Sequence, residues 1–129
     1  MEARERNVLY YQLPAGPPAP FSNWRDTLTD RLTRAAVDAR IARLRQGNFS
    51  DSRSIGGGAS ENRIDFGPGF RIYYAIANDV IILLNGGDKS TQVKDIKVAL
   101  EYWADYKERT ANAARTRLPG RSVRRSKKR

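Results

Sequence analysis

The sequence contains neither cysteine nor histidine among its 129 residues. Without cysteine, the chain cannot form disulfide bonds, thiolate nucleophiles or cysteine-ligated metal sites. Without histidine, it lacks the side chain that ordinarily titrates near neutral pH. Any acid–base chemistry must therefore use carboxylates, lysine, tyrosine or arginine, and we expect no metal or other cofactor.

The sequence also lacks long apolar segments. Its longest apolar run, VIILL at residues 80–84, has the length of a strand, whereas a membrane-spanning helix needs about 20 apolar residues. The first residues, MEARERN, do not contain the apolar core of a signal peptide. We therefore expect a cytoplasmic protein of one domain that does not bind membranes.

Acidic residues are absent from the C-terminal segment, residues 115–129, which holds eight lysines and arginines. Residues 1–114 hold the other 16 basic residues and all 14 acidic ones, so most of the net charge of +10 lies in the terminal segment. Blocks of like charge are usually disordered and bind phosphate groups without sequence preference. The sequence therefore predicts a folded domain over residues 1–110 and a disordered basic tail over residues 111–129.

The first part of the domain is predicted to contain a strand, a loop and a short helix. β-Forming residues indicate a strand at residues 6–12, RNVLYYQ, and four of the six prolines make residues 13–20 an extended loop. A short helix is predicted at residues 23–30, NWRDTLTD, with Ser22 or Asn23 as its cap.

A second helix is predicted to begin at a cap provided by Thr29 or Asp30 and to end near Gly47. The two helices together form a helical hairpin. Three apolar residues recur at helical spacing and should face the core, with arginines outside them. The apolar residues are Val37, Ile41 and Leu44, and the arginines are Arg34, Arg40 and Arg43.

Most of the second half is predicted to be strand. A short strand at SRSI (52–55) merges into a flexible glycine-rich loop, SIGGGAS (54–60). The segment ENRIDFGPGFRIYY (61–74) has alternating strands on both sides of a Gly-Pro-Gly turn. Residues 80–84 are apolar at every position, as expected of a central strand.

The C-terminal helix is predicted to follow a turn at NGGDKS (85–90), capped by Asp88 or Ser90, and to end near Thr110. Its apolar stripe consists of Val93, Ile96, Leu100 and Trp103. The order β-α-α-β-β-β-β-α predicts an α+β fold, with helices packed on one face of a small twisted antiparallel sheet.

The hairpin at 61–74 places charged side chains on one face. The expected register puts Asp65 opposite Arg71. It also puts Arg63 opposite Tyr73. This face is either a solvated surface with a cross-strand ion pair or a phosphate-binding surface with Tyr73 as a stacking plane. The spacing alone leaves both interpretations open.

Lys89 lies in the NGGDKS turn, where two glycines end the predicted central strand. A helix N-terminus attracts anions, so Lys89 could stand at the mouth of an anion site. The alternative is an ordinary strand-to-helix turn, since the spacing of a P-loop is absent.

Five segments follow one another along the chain: NVLYYQLP, ARIARLRQGN, the glycine-rich loop, RIDFGPGFRIYY and LNGGDKS. Together they resemble the RelE/ParE superfamily of toxins, in particular the HigB-like addiction-module killer proteins, over about residues 6–108. The resemblance implies a RelE-like fold, in which an N-terminal helical hairpin packs on a small twisted antiparallel sheet with a C-terminal helix.

The resemblance also implies a function. It points to the toxin of a type II toxin–antitoxin system, an mRNA endoribonuclease that acts on ribosome-bound mRNA without a metal. The expected partners are the ribosome, mRNA and a cognate helix-turn-helix antitoxin, through which alone the toxin reaches operator DNA. Two alternatives remain open, namely a ParE-like inhibitor of DNA gyrase and a non-enzymatic relative that binds RNA or a partner protein.

The resemblance assigns the scissile phosphate to three cations, Arg63, Arg71 and Lys89. Lys89 replaces an arginine of the family and gives up the bidentate geometry of a guanidinium. With Tyr73, these residues form the expected RNA-binding set.

The acid–base residues depart from the family. Asp65 stands where RelE has a second lysine, and Asp95 lies near the position of its C-terminal tyrosine. We therefore expect Asp65 or Asp95 to accept the 2′ proton, and Lys89 to serve as second cation or general acid.

Overall fold

Residues 5–117 are described by a computed structural model, in which a five-stranded sheet is covered by helices on both faces. The elements are β1 (Asn7–Tyr10), α1 (Pro20–Asp26), α2 (Arg31–Arg45), β2 (Ser52–Gly56), β3 (Ala59–Ile64), β4 (Phe70–Ala77), β5 (Val80–Gly87) and α3 (Gln92–Arg117). A 3₁₀ turn, Lys89–Thr91, precedes α3. The predicted α+β class and the predicted order of elements are confirmed.

The sheet has the strand order β1-β5-β4-β3-β2. β1 pairs with β5 in parallel, with Asn7 opposite Val80, whereas the other neighbours are antiparallel. The prediction of a wholly antiparallel sheet is therefore wrong. β5 lies inside the sheet, and residues 81–84 are completely buried, as their unbroken apolar run predicted.

The two faces of the sheet carry separate apolar clusters. On one face, Phe21 of α1 and Leu44 of α2 pack against Ile72 of β4. On the other, Trp103 of α3 packs with Ile82 of β5. The prediction that all helices cover one face is wrong, because β4 and β5 are apolar on both faces and each face needs a cover.

The N-terminal helices begin in different ways. α1 follows Ala19 without a side-chain cap and starts with Pro20, so the predicted caps Ser22 and Asn23 are wrong. Proline suits this position because the first helical residues need no backbone N–H donor. α2 has the predicted cap, since Thr33 donates its backbone N–H to the Asp30 carboxylate at 3.0 Å.

The stripe of α3 differs from its prediction at the first position. Val93 is 87% exposed, whereas Ala99 and Trp103 are buried. Position 92, four residues before Ile96, lies on the stripe instead, and it holds Gln92, which reaches Glu61. Trp103 does anchor the helix, as expected, and donates its indole N–H to the Gly57 carbonyl at 2.7 Å.

α3 is longer than predicted, because it continues past Thr110 to Arg117. Alanine and arginine in TANAARTR favour this extension. The first seven residues of the predicted disordered tail, 111–117, are therefore helical. The rest of that tail lies outside the described residues. Within the described range, no helix has both the length and the apolarity needed to cross a membrane.

The glycine-rich segment is a hairpin turn between two strands. β2 ends at Gly56 and β3 begins at Ala59, so the prediction of a flexible connecting loop over SIGGGAS is wrong. Gly57 and Gly58 turn the chain with φ of 64° and 94°, values that favour glycine.

The β3–β4 hairpin has a longer turn than expected. Ile64 pairs with Phe70, so residues 65–69 form the turn and Phe66 lies in it, 39% exposed. This register differs by two residues from the prediction, which keeps the side chains of the paired residues on their expected faces but changes their partners. Arg63 therefore lies opposite Arg71, and the predicted pairs Asp65–Arg71 and Arg63–Tyr73 are wrong.

Candidate functional site

Three arginines meet in a polar cleft of about 290 Å³ beside the start of α3. We call it the arginine cleft. Its lining residues come from β2, β3, β4, α3 and the turn before β2: Asp51, Ser52, Arg53, Glu61, Arg63, Arg71 and Gln92. The site predicted from the sequence, with Arg63 and Arg71, therefore coincides with a real concavity.

The register of β3 and β4 creates an unusual pair. Arg63 and Arg71 are directly opposed across the two strands and line the same cleft. Like charges at directly opposed positions destabilise a sheet. Such an arrangement needs a nearby negative charge, from the protein or from a bound anion.

Glu61 provides the protein's own negative charge, and its side chain is only 3% exposed. Its carboxylate accepts hydrogen bonds from Arg53 Nε at 2.7 Å, from Gln92 Nε2 at 2.8 Å and from the Tyr73 hydroxyl at 3.2 Å. Arg71 Nε lies 3.6 Å from it, as an ion pair. Glu61 thus connects β2, β4 and α3 at the floor of the cleft.

The charge state of Glu61 follows from these contacts. Burial raises the pKa of Glu61, but hydrogen bonds from Arg53 and Gln92 outweigh burial, and the pKa lies below its ordinary value. Burial and the neighbouring Glu61 charge raise the pKa of Tyr73 well above its ordinary value. Glu61 is therefore ionised and Tyr73 protonated at neutral pH.

Arg71 is held on two sides. Its Nη1 donates to the Gly69 carbonyl at 2.7 Å, while its Nε is buried without a hydrogen-bond acceptor. Gly69 fits tightly here, because an added Cβ would lie 3.1 Å from Arg71 Nη1. The guanidinium is thereby fixed in the cleft wall with Nη2 left unbonded by residues 5–117.

The other two arginines keep most of their donors free. Arg53 uses only Nε, and the Arg63 guanidinium has no partner among the described residues. Fork-shaped guanidinium groups bind phosphate and carboxylate oxygens through such N–H donors. The arginine cleft therefore has the chemistry of an anion-binding site.

A polar network beneath the cleft fixes β3 against α2. Arg40 was predicted to lie on the solvated face of α2, but its side chain is only 12% exposed. Its Nη1 donates to the Arg63 carbonyl at 2.5 Å and to Asn62 Oδ1 at 2.8 Å. Asn62 in turn donates to the Ser50 carbonyl at 3.0 Å. The backbone that presents Arg63 is thus fixed from below.

The remaining predicted site residues lie elsewhere. Asp65 is exposed in the hairpin turn and does not line the cleft. Asp95 lies in the first turn of α3, where its carboxylate accepts a hydrogen bond from the Thr91 hydroxyl at 2.5 Å. Tyr73 is completely buried, so it cannot be the predicted stacking plane. Lys89 is exposed next to Gly69, outside the cleft lining.

Sequence reasoning missed Arg53, Glu61 and Gln92. A signal existed for Glu61, because it alternates with Arg63 along a predicted strand and shares its face. Arg53 lies on β2 opposite Glu61 of β3. Finding it required the register between these two strands, and β2 was predicted only as a short segment. Gln92 could be found only by knowing that position 92, rather than position 93, lies on the face of α3 that packs on the sheet.

Comparison with known proteins identifies a relative of this chain. An uncharacterized protein of Haemophilus influenzae is 50% identical over 80 residues, which is 61% of this chain and 81% of the relative. The chain belongs to the family of that protein. No family model matches the chain. The alignment covers most of the relative, but the relative has no described activity. The function of this chain must therefore be argued from the arginine cleft.

Proposed function

We propose that the protein is a RelE/ParE-type toxin of the HigB-like group, with the RelE-like fold, and that the arginine cleft binds and cleaves mRNA. The observation that supports this proposal is the convergence of Arg53, Arg63 and Arg71, which leave unbonded N–H donors in one cleft. A phosphodiester suits such a cluster, because it offers two oxygens to fork-shaped donors.

In the proposed reaction the RNA 2′ oxygen attacks phosphorus and the bond from phosphorus to the 5′ oxygen breaks. The 2′ hydroxyl loses a proton and the leaving 5′ oxygen gains one. Arg63 and Arg71 stabilise the extra negative charge on the phosphorane, and such stabilisation by preorganised groups is usually the largest single contribution to catalysis. The ribosome supplies the remaining rate enhancement by positioning the mRNA.

The proposed general base differs from the residues expected from the sequence. Asp65 and Asp95 do not reach the cleft, so neither is assigned as base. Of the two carboxylates that line it, Glu61 is buried and hydrogen-bonded, whereas Asp51 is 51% exposed. Asp51 is therefore the better acceptor for the 2′ proton. Lys89 lies outside the cleft lining but close to Gly69, and its long side chain makes it the proposed donor to the 5′ oxygen.

The test is induction of the protein in a bacterial host, followed by mapping of mRNA 5′ ends. Wild-type protein should arrest growth and produce 5′ ends in codon register. Arg63→Ala should restore growth and remove these ends, because it deletes a cleft guanidinium that makes no hydrogen bond or ion pair within residues 5–117. Arg31→Ala is the matched control, since Arg31 is exposed on α2 and lies outside the cleft.

Each outcome discriminates between functions. Codon-register ends that persist in Arg63→Ala contradict the assignment of the cleft. DNA damage signalling with intact mRNA indicates gyrase inhibition instead.

A non-enzymatic RNA-binding function is the second candidate. It is favoured by the low pKa of Glu61 and the high pKa of Tyr73, since neither group exchanges a proton readily near neutral pH. This alternative predicts RNA binding that weakens with salt, but no growth arrest and no new mRNA ends.

A further inference from the structure

A second cavity lies away from the arginine cleft, between the proline-rich loop, α1, the end of β5 and α3. We call it the proline-loop cavity. Its volume of about 540 Å³ falls in the range of ligand-binding pockets, and it shares no lining residue with the arginine cleft. Nothing in the proposed RNA chemistry uses it.

The walls of this cavity are mainly apolar and aromatic. They include Leu13, Pro17, Pro18, Trp24, Val98 and Tyr102. Trp24 lies directly on Gly86, where an added Cβ would be 2.2 Å from its ring. Tyr102 stacks on Tyr11 with ring centres 4.8 Å apart. The two aromatic walls are therefore fixed in place before any ligand binds.

One buried polar atom in the wall lacks a partner. Asn85 is 6% exposed, and its Nδ2 donates to the backbone carbonyl of Asp95 at 3.2 Å. Its Oδ1 is buried and has no hydrogen-bond donor among the described residues. A buried acceptor without a donor destabilises a protein, and a bound water or ligand commonly supplies the missing donor. A ligand in the cavity could therefore supply the N–H or O–H donor that Asn85 Oδ1 lacks.

Asp95 supplies a carboxylate to the same cavity. It is 9% exposed, and among residues 5–117 one of its two carboxylate oxygens accepts a hydrogen bond, from the Thr91 hydroxyl. Its position depends on Gly87, since a Cβ there would lie 1.8 Å from Asp95 Oδ2. A carboxylate and an amide oxygen from residues that line one cavity match a planar cation with several N–H donors, and aromatic walls favour the same cation.

We propose that the proline-loop cavity binds an arginine side chain presented by a partner polypeptide. The guanidinium donates to Asn85 and Asp95, and the apolar walls contact the residues beside the arginine. A peptide is the better source than a free guanidinium compound, because the cavity is larger than one side chain and most of its wall is apolar. The inference rests on this cavity alone and not on RNA cleavage.

The experiment is a calorimetric titration of the full chain with the tripeptide acetyl-Ala-Arg-Ala-amide. The matched ligand has norleucine in place of arginine, and agmatine is the free guanidinium ligand. We expect the arginine peptide to bind at least tenfold tighter than the norleucine peptide and tighter than agmatine. Equal affinity of the two peptides overturns the proposal, and tighter binding of agmatine overturns the peptide part of it.

Three variants test the charge and the acceptor. Asp95→Asn should weaken binding about tenfold, whereas Lys94→Gln should strengthen it severalfold, because Lys94 is an exposed cation at the rim. Asn85→Leu should abolish binding, since it removes the Oδ1 acceptor. It also removes the hydrogen bond from Nδ2 to the Asp95 carbonyl, so a modest fall in the melting temperature is expected. If Lys94→Gln weakens binding of the arginine peptide, the cavity does not recognise its positive charge and the proposal is wrong.

A crystal structure of the full chain with the arginine peptide provides the second readout. The proposal requires guanidinium density at Asn85. An ordered water on Asn85 Oδ1, with no peptide at millimolar concentration, overturns it. Arg63→Ala disables the arginine cleft and should leave this titration unchanged, so failure of one site is distinguishable from failure of the other.

Discussion

The two faces of the sheet are built from the same strands but bury different chemistry. The face under α1 and α2 is closed by apolar side chains such as Phe21, Leu44 and Ile72. The face under α3 has an apolar cluster too, but towards α3's start it buries the charged pair Glu61 and Arg71. Both faces thus supply apolar stability, and the face under α3 also carries the energetic cost of a buried ion pair at the candidate site.

Large-to-small substitutions should affect the two apolar clusters equally. Ile72→Ala and Ile82→Ala remove completely buried side chains from opposite faces, and each should lower the free energy of unfolding by about 4 kcal/mol. Urea unfolding measures the loss. Ile76→Ala, on β4 but 40% exposed, is the matched control, with an expected loss of about 1 kcal/mol. A small effect at Ile82 alone would mean that α3 packs loosely.

Removing the buried acid should be the next largest perturbation. Glu61→Ala leaves Arg71 buried without its ion-pair partner, and we expect a loss of about 3 kcal/mol in the free energy of unfolding. Added inorganic phosphate should recover part of this loss by binding the arginines of the folded state. Exposed Glu101 supplies the control variant, Glu101→Ala, which should unfold like wild type. No recovery with phosphate would argue against an anion site.

Stability should depend on pH through Glu61. Because its folded pKa is lowered, the ionised network stabilises the protein fully above the ordinary pKa of 4.5. That contribution is lost as the pH falls below this value through the folded pKa. Thermal unfolding between pH 6 and pH 3 should show a steeper decline for wild type than for Glu61→Gln. Parallel curves would mean that Glu61 is not charged in the folded protein.

The smallest effect on stability is expected at Arg63. Arg63→Ala removes one of two directly opposed like charges on an exposed position, so the free energy of unfolding should stay within about 1 kcal/mol of wild type or rise. The same urea titration measures it. A loss as large as that of Glu61→Ala would show that Arg63 is structural.

The order of elements could be predicted because its signals are local. Unbroken apolarity identified β5, and the Asp30 cap identified α2. The register of the β3–β4 hairpin could not be predicted, because Gly67 and Gly69 both adopt positive φ and allow a five-residue turn. The parallel β1–β5 pair joins residues far apart in the chain, which no local pattern reports.

The sequence allowed two arginines of the candidate site to be predicted, but not its acidic residues. Arg63 and Arg71 lie on the expected face, since a two-residue shift of register preserves the face. Glu61 gains its role only when β2, β4 and α3 meet around it. Asp65 and Asp95 had the right chemistry for a base, but the turn and α3 hold them outside the cleft.

The central claim is that the arginine cleft holds RNA phosphate, and the salt dependence of RNA binding tests it most directly. Fluorescence anisotropy with a short single-stranded RNA gives the slope of log affinity against log salt for wild type, Arg63→Ala and Arg31→Ala. Each phosphate contact to a single strand contributes a slope of about −0.7. We predict that Arg63→Ala loses about one such contact while Arg31→Ala keeps the wild-type slope. Identical slopes for all three proteins would contradict the account, because RNA would then be held outside the cleft.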